Sequence, residues 1–353
     1  MKGHSVKKNN PYTLTFGKKP AEYISRHENL QEIISTFESE NAVSQTYLIE
    51  GIRGSGKTVL MTAITGELSK RSRWLTVDIV SSGNIINDLA SRLIALKLNK
   101  KFTSLVKNGF NISVGGFGIG LGGGNDNLDA VSIIEEALTI IKKKEQRLLI
   151  TIDEVTPSDS MRYFAGEFQS LVRKDYPVFL LMTGLYENIY AVQNDPALTF
   201  LLRTPKISLE PLSIYQITRH YAETFEIDNE TAVQLAGFTK GYAFAFQALG
   251  VVYYEYRDSL PMEKILIKLD EMLDDYVYRK IWSTLSAQDK NVITAISDGS
   301  VKVKDLCEQL KMSSSTFSKY RDRLIKKGLL VSSSHGYVEL ALPRFGEISK
   351  TYI

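Results

Sequence analysis

The residues best suited to chemistry lie between Gly51 and Thr58, where the sequence reads Gly-Ile-Arg-Gly-Ser-Gly-Lys-Thr. This segment matches the pattern G-x-x-x-x-G-K-[ST] at every fixed position. Glycines let the backbone wrap closely around a polyphosphate with its N–H groups turned inward. The Lys57 ammonium can reach the terminal phosphates, and the Thr58 hydroxyl can bind Mg²⁺. The pattern predicts a nucleotide-binding loop formed by Gly51, Arg53, Gly54, Ser55, Gly56, Lys57 and Thr58.

Two acidic residues, Asp153 and Glu154, follow the apolar run from Leu148 to Ile152. A near-continuous apolar run is typical of a strand buried on both faces of a parallel sheet, and ligands bind at the carboxyl ends of such strands. We expect Asp153 to hold Mg²⁺ together with Thr58, and Glu154 to polarise an attacking water. Without the preceding loop, the same two acids would indicate an ordinary turn.

Two further residues are candidates for contact with the γ-phosphate. Thr183 ends the apolar run 177–182, where a polar side chain can sense the phosphate or orient water, although a simple turn would also place it there. Arg203 ends an apolar helix just before a short strand predicted over 205–209. We expect Arg203 to serve the γ-phosphate or a neighbouring molecule's site; the alternative is that it complements the dipole of its own helix.

The elements that must position these residues alternate between strand and helix. Strands are predicted at 47–49, 74–79, 148–153, 177–182 and 205–209, and the helical periodicities include 85–98 and 128–143. This alternation predicts an α/β domain over 1–210 with a parallel sheet. Large residues alternate on both sides of Gly115-Gly116, which predicts a hairpin over 110–121. The lysine-bearing segment 1–20 is interpreted as a solvated tail, or as an arm that contacts phosphates.

Beyond residue 211 the strand signals vanish. Helices are predicted over 212–225, 229–237, 242–256 and 262–280. A helix-only stretch after a strand–helix alternation predicts a separate small domain over 211–280.

The last part of the chain, 281–353, has a third pattern. Three helices, 286–297, 304–310 and 315–327, precede a hairpin over 329–340, which is the order of a winged helix. Between 298 and 353 ten Lys or Arg face six Asp or Glu, a net charge of +4. The third helix predicts DNA binding through its cations; a solvated face on a protein-binding winged helix is the alternative. These cations are Lys319, Arg321, Arg323, Lys326 and Lys327.

Bulk properties limit the class of protein. A chain of 353 residues allows two or three domains, and a net charge of +3 confines any nucleic-acid surface to a local patch. The single cysteine, Cys307, excludes an internal disulfide and fits a reducing compartment. No apolar run approaches the ~18 residues that span a bilayer, and the first residues lack the apolar core of a signal peptide. We therefore expect a cytoplasmic protein without a membrane partner.

Beyond the loop, the segment Arg26-His27-Glu28-Asn29-Leu30 resembles the R-x-E-x-L box of initiator-type and archaeal-type AAA+ ATPases. With the motifs above and the terminal winged helix, the chain is similar to origin-recognition-like AAA+ proteins and to STAND signalling ATPases. The resemblance implies a sheet in the order 5-1-4-3-2, a helical lid over the nucleotide, ATP and Mg²⁺ as ligands, and a role for Arg26 beside the adenine.

The lid departs from both groups. Initiator-like lids carry an arginine at the start of a lid helix, and STAND lids carry G-x-P; here the sequence is Gly241-Tyr242-Ala243, followed by no arginine through Gln247. We expect an ATPase switch that binds DNA, hydrolyses ATP slowly and depends on a partner. That partner is another protein or a second copy of the chain. The alternative is a STAND-like signalling ATPase whose winged helix binds protein. A phosphotransferase is disfavoured because Glu154 suits the activation of water rather than a bound acceptor.

Overall fold

The computed structural model describes residues 10–15, 20, 22–100, 102–103, 129–296 and 299–352. They form two compact units. The first, here called the sheet unit, comprises 26–50 and 60–208; the second, the helical unit, comprises 1–25, 51–59 and 209–353. None of the helices in the described ranges has the length and apolar character needed to cross a membrane. The hairpin predicted over 110–121 lies outside the described residues.

Five parallel strands form the core of the sheet unit. They are β1 (Thr46–Glu50), β2 (Trp74–Val80), β3 (Arg147–Asp153), β4 (Val178–Gly184) and β5 (Lys206–Ser208). Their spatial order is β2-β3-β4-β1-β5, which confirms the predicted order 5-1-4-3-2 and the α/β fold class. Because the strands are parallel, Glu50, Asp153 and Gly184 end at one edge, here called the carboxyl edge.

Helices cover this sheet, and their starts follow from the sequence. Asn84, Asp129 and Ser158 each accept a hydrogen bond from a backbone N–H in the first turn of the helix that follows. The helices are α1 (His27–Glu38), α2 (Lys57–Ser69), α3 (Ile85–Ala95), α4 (Ala130–Lys143), α5 (Asp159–Arg173), α6 (Tyr186–Gln193) and a 3₁₀ helix (Pro196–Arg203). Apolar stripes of α3, α4 and α5 pack with the buried residues of β3.

After residue 209 the helical unit continues with four helices joined by short loops: α7 (Ile214–Phe225), α8 (Asn229–Thr239), α9 (Ala243–Tyr256) and α10 (Met262–Leu273). The predicted helix 262–280 is interrupted, because a π-helical turn (Asp274–Tyr278) joins α10 to α11 (Arg279–Ser283). Buried residues of α7 to α10 and of the π-helical turn belong to one hydrophobic cluster, and the partly buried Ile281 and Trp282 of α11 pack against it.

Part of the predicted tail is packed against α9. Tyr12 is only 3% exposed, and its ring lies where Gly250 leaves space, since a Cβ there would come 2.3 Å from the ring. The N–H of Thr13 donates to the Gln247 side chain at 3.2 Å, and Asn10 donates to the Val251 carbonyl at 3.2 Å. The described residues 10–15 are thus docked rather than solvated. The five lysines of the segment lie outside the described residues.

The C-terminal part contains three helices, α12 (Ala287–Ala295), α13 (Val303–Gln309) and α14 (Ser314–Lys326). With them is an antiparallel sheet in the order β6-β8-β7, made of β6 (Val301–Lys302), β7 (Leu330–Ser334) and β8 (Tyr337–Leu340). A short helix, α15 (Phe345–Ser349), and a 3₁₀ turn (Lys350–Tyr352) follow. Their buried residues share the cluster of the preceding helices. The division into 1–210, 211–280 and 281–353 stays a prediction.

Candidate functional site

The glycine loop leaves the sheet directly from the end of β1. Gly54 and Gly56 have φ of +77° and +92°, a region that glycine adopts at little cost. The Ser55 N–H donates to the Ile52 carbonyl at 3.2 Å and closes a tight turn. Helix α2 then starts at Lys57, so its first N–H groups and the positive end of its dipole lie at the loop. The loop has the geometry of an anion-binding site at a helix N-terminus.

The ammonium of Lys57 is held inside the loop. It donates to the carbonyl of Gly51 at 3.0 Å and to that of Ile52 at 2.8 Å, and the residue is only 7% exposed. A phosphate bound in this loop would have to exchange with these two neutral acceptors. The exchange is favourable because a phosphate oxygen carries negative charge, so its bond to the ammonium gains an attraction between two ions that a neutral carbonyl lacks.

Two residues at the start of α9 contact the loop. The Tyr242 hydroxyl donates to the Arg53 carbonyl at 2.7 Å, and the Phe244 N–H donates to the Gly54 carbonyl at 3.1 Å. Burial raises the pKa of Tyr242 far above its ordinary value, so the hydroxyl remains a donor. We did not predict these contacts. The sequence signal was Gly241-Tyr242, where the segment departs from the lid patterns of the families that the chain resembles in sequence.

At the carboxyl edge of the sheet unit, one hydrogen-bond network links Asp153, Glu154 and Thr183. The Thr183 hydroxyl donates to Asp153 Oδ1, and the Glu154 N–H donates to the same oxygen at 3.1 Å and to Thr183 Oγ1 at 3.2 Å. Thr183 is fully buried, whereas the Glu154 side chain is exposed. Glu154 has φ +53°, a backbone conformation uncommon for residues other than glycine and concentrated at functional sites.

The residue types fit ATP and Mg²⁺. The loop offers backbone N–H groups, two positive-φ glycines and an ammonium, which suit a polyphosphate. In the helical unit Thr58 carries a hydroxyl, and in the sheet unit Asp153 carries a carboxylate; both are oxygen ligands of the type that Mg²⁺ prefers. Elsewhere in the described ranges, no cluster of three or more His, Cys, Asp or Glu could hold a metal ion.

A buried carboxylate that we did not single out lies at the end of β1. Glu50 is 8% exposed; it accepts a hydrogen bond from Ser208 Oγ at 2.7 Å and lies 3.7 Å from Lys206 Nζ. Both partners are in β5, so Glu50 ties together the two strands beside the start of the loop. The sequence signal was weak: a single acid at the end of an apolar run.

The two predicted arginines of the sheet unit lie in different places. Arg26 is half-buried at the start of α1, and the Leu30 N–H donates to its carbonyl. Arg203 is exposed and precedes Thr204, whose hydroxyl is 2.9 Å from that of Thr46 at the amino end of β1. Arg203 therefore lies one strand length, roughly 13 Å at ~3.3 Å per residue, from the carboxyl edge. This location disfavours a role at its own chain's γ-phosphate.

The cations predicted to contact DNA also differ from one another. Lys319 and Lys326 are exposed on α14, and Arg321 and Lys327 are half-buried. Arg323 instead pairs with Asp289, which is only 2% exposed: its Nε and Nη2 donate to Asp289 Oδ1 at 3.0 and 2.5 Å. A guanidinium engaged with a buried acid is poorly placed to read a base. The Arg323 guanidinium thus links α14 to α12 although the residue is exposed, and its contact with DNA stays a prediction.

The C-terminal part of the sequence matches one known family. The model of a domain of unknown function (DUF8462) matches residues 275–348. No curated protein matches the sequence.

Solved structures resemble nearly the whole chain at low identity. The Walker-type ATPase PABY2304 of Pyrococcus abyssi has a TM-score of 0.64 at 13% identity, over 93% of this chain and 96% of that one. The Aeropyrum pernix ORC2 protein, in ADPNP–ADP complexes, has 0.61 at 14%, over 96% of each chain. Cdc6p of Pyrobaculum aerophilum has 0.50 at 13%, again over 96% of each. At such identities the similarity concerns the fold, which is that of the P-loop ATPases.

Proposed function

We propose that this protein binds and hydrolyses ATP with Mg²⁺ and that the nucleotide acts as a switch for a DNA-binding winged helix. The observation that carries the proposal is the glycine loop, with positive φ at Gly54 and Gly56, a helix starting at Lys57, and a direct link to β1 of a parallel sheet. That the ORC2 structure of similar fold was solved with ADPNP and ADP supports the same ligand class.

The residues divide the work as follows. Lys57 and the loop N–H groups hold the phosphates, and Arg26 contributes at the base. Thr58 and Asp153 hold Mg²⁺, which neutralises phosphate charge when bound. Glu154, exposed at the carboxyl edge, accepts the proton of the attacking water. Thr183 keeps the Asp153 carboxylate in one orientation by donating to it.

The position of Arg203 is the reason why we expect the isolated chain to hydrolyse ATP slowly. An arginine at the amino end of the sheet does not stabilise negative charge at its own carboxyl edge. In this proposal Arg203 serves the site of a second copy, and hydrolysis therefore depends on self-association or on a partner.

The C-terminal elements support the winged helix part of the proposal. The helices α12, α13 and α14 precede a hairpin of β7 and β8, and β6 pairs with β8 as a third strand. In such a fold α14 would be the recognition helix. The cations of α14 kept as proposed DNA contacts are Lys319, Arg321, Lys326 and Lys327. Arg323 is left out of the proposed DNA contacts because of its pairing with Asp289.

A salt titration of duplex binding by the full chain, with and without ATP, tests the proposal. The variant Lys326→Ala/Lys327→Ala removes two cations from the end of α14. We expect weaker binding to all sequences and a slope of log K against log salt that is flatter by up to about two units. The matched control is Lys142→Ala/Lys143→Ala, which removes two consecutive exposed lysines from the end of α4 in the sheet unit.

The control variant should bind DNA like the parent. Equal losses in both variants would mean that α14 has no special role. If the parent with ATP retains no duplex at ~50 mM salt, where phosphate contacts are strongest, the DNA proposal fails and a winged helix that binds protein takes its place.

A further inference from the structure

The contact between α9 and the glycine loop fixes the orientation of a loop peptide. The Arg53 carbonyl accepts the 2.7 Å hydrogen bond from Tyr242, and the described peptide bonds are all trans. In a trans peptide the C=O and the N–H point in opposite directions. The N–H of Gly54, which shares this peptide, is therefore held on the side away from Tyr242. A phosphate loop works only when its carbonyls face outward and its N–H groups face the ligand.

The packing around this hydrogen bond is tight. A Cβ on Gly54 would lie 2.1 Å from the Tyr242 hydroxyl oxygen and 3.0 Å from the Phe244 Cβ. Tyr242 is 4% exposed, so its ring has little room to move independently of the loop. Close-packed interiors transmit small displacements rather than absorbing them. A rearrangement of the loop would therefore displace Tyr242.

Tyr242 also contacts the residue that joins this region to the C-terminal elements. Its ring stacks on that of Tyr278 with centroids 6.4 Å apart and planes at 24°. Tyr278 is fully buried; its hydroxyl donates to the Pro343 carbonyl at 2.7 Å, and its ring meets Phe345 edge-on at 4.8 Å. A continuous chain of contacts thus runs from Arg53 through Tyr242 and Tyr278 to the start of α15.

We propose that Tyr242 is a positioning residue of the phosphate loop and that, through Tyr278, it makes the C-terminal elements respond to bound nucleotide. The inference rests on the proposed ATP binding. Tyr242 contacts the loop backbone through a neutral hydroxyl. It therefore acts on the shape of the loop rather than on phosphate charge.

The test compares three buried tyrosines whose hydroxyls each donate to a backbone carbonyl at 2.7 Å. Tyr242→Phe removes the hydrogen bond to the loop, and Tyr278→Phe removes the hydrogen bond to Pro343. Tyr221→Phe removes a hydrogen bond to Phe246 within the helical core. Tyr221→Phe is the matched control, because it changes the same chemistry at equal burial without contact to the loop. Phenylalanine keeps the ring in all three variants, so the fold should persist.

Two measurements distinguish a specific effect of Tyr242 on the loop from a general loss of packing. Calorimetric titration with a non-hydrolysable ATP analogue gives the affinity. Fluorescence of Trp282 reports on the C-terminal elements, because its ring lies 6.4 Å from Phe345 and 5.0 Å from Tyr352. The chain has two tryptophans, so a Trp74→Phe background leaves Trp282 as the sole emitter.

We expect Tyr242→Phe to weaken analogue binding about three- to tenfold, the effect of one net hydrogen bond, and to lose the Trp282 response at saturation. Tyr278→Phe should bind within about twofold of the parent and also lose the response. Tyr221→Phe should keep both affinity and response.

Tyr242→Phe with parental affinity and a full response would overturn the inference, as would a parent in which bound analogue leaves Trp282 unchanged. An equal loss of affinity in Tyr221→Phe would also overturn the inference, because the loss would then arise in the helical core and not at the contact with the loop. If the parent binds no analogue, the proposed ATP binding itself is wrong. That result is obtained before any tyrosine is changed, so it is distinguished from a failure of the inference about Tyr242.

Discussion

At the residue scale, the orientation of the Asp153 carboxylate depends on a side chain from the neighbouring strand. The hydroxyl of the buried Thr183 and the N–H of Glu154 both donate to Oδ1. Such partners of a metal-binding carboxylate set its direction, and their loss typically costs 10–100-fold in metal affinity or activity. In the proposed site Thr183 would thus act through Asp153; its direct action on the γ-phosphate or on water stays a prediction.

The variant Thr183→Val tests this role, because valine keeps the shape of the side chain and removes the hydroxyl. We expect Mg²⁺-dependent hydrolysis to fall roughly 10–100-fold while nucleotide binding without Mg²⁺ stays close to that of the parent. The matched control is Thr151→Val, since Thr151 in β3 is also buried and also donates to an aspartate of the neighbouring strand, Asp78 in β2. If both variants lose activity equally, the effect is on the sheet and not on Asp153.

Some of these residues were predictable from the sequence and others were not. Lys57, Thr58 and Asp153 follow from motifs whose spacing is fixed by the chemistry of phosphate and Mg²⁺. Tyr242 contacts the loop from a helix almost two hundred positions later in the chain, and Glu50 is stabilised by residues of β5. Contacts between distant positions leave no periodic or local pattern, so they emerge only from the folded chain.

At the element scale, α14 combines a packing face with a charged face. Phe317 and Leu324 are buried, and Arg323 reaches Asp289 at the start of α12. Asp289 also completes the capping box of α12, since its Oδ2 accepts from the Ser286 hydroxyl and N–H. The helical periodicity predicted α14 to within a residue, but it did not show which of the cations pairs with a buried acid.

The pairing makes a prediction about stability. Arg323→Ala should lower the free energy of unfolding by roughly 1.5–3 kcal/mol, because it leaves a buried carboxylate oxygen without its charged donors. Arg321→Ala is the control on the same helix; its partner, Asp322, is exposed, so its loss should cost under about 0.5 kcal/mol. Urea unfolding followed by Trp282 fluorescence measures both. Equal midpoints for the two variants would argue against a structural role for Arg323.

The sequence predicted where the strands lie in the chain but not which strands are neighbours in the sheet. Apolar runs predicted all five strands, and their alternation with helices predicted a parallel sheet. The spatial order 5-1-4-3-2 came from the resemblance to known ATPases, because the sequence of each strand carries no signal for its neighbour. The π-helical turn at 274–278 was missed for a related reason: it keeps the apolar spacing of a helix while it changes the hydrogen bonding.

At the scale of the whole molecule, the position of Arg203 is the basis of our proposal that hydrolysis depends on association. It lies by the amino end of β1, whereas the acids lie at the carboxyl edge. A site completed by a second copy would explain why the arginine is exposed on its own chain. An arginine supplied in this way can contribute on the order of 10³-fold or more to hydrolysis.

Mixing two inactive variants tests this arrangement. Glu154→Gln lacks the base and Arg203→Ala lacks the arginine, so each alone should hydrolyse ATP at least about a hundredfold more slowly than the parent. In a mixture, Arg203 of a Glu154→Gln molecule can serve an Arg203→Ala molecule that retains its base, and a measurable rate should return. A mixture whose rate equals the sum of its parts would show that Arg203 does not act between copies.

The central claim is that the glycine loop binds ATP, and the most direct measurement is calorimetric titration of the full chain with a non-hydrolysable ATP analogue and Mg²⁺. The Lys57 ammonium donates to the carbonyls of Gly51 and Ile52 in its own loop, so Lys57→Ala should leave the thermal midpoint within a few degrees of the parent. Its analogue affinity should fall at least about a hundredfold, because the phosphates lose their main cation. An unchanged affinity in a folded Lys57→Ala variant would contradict the account.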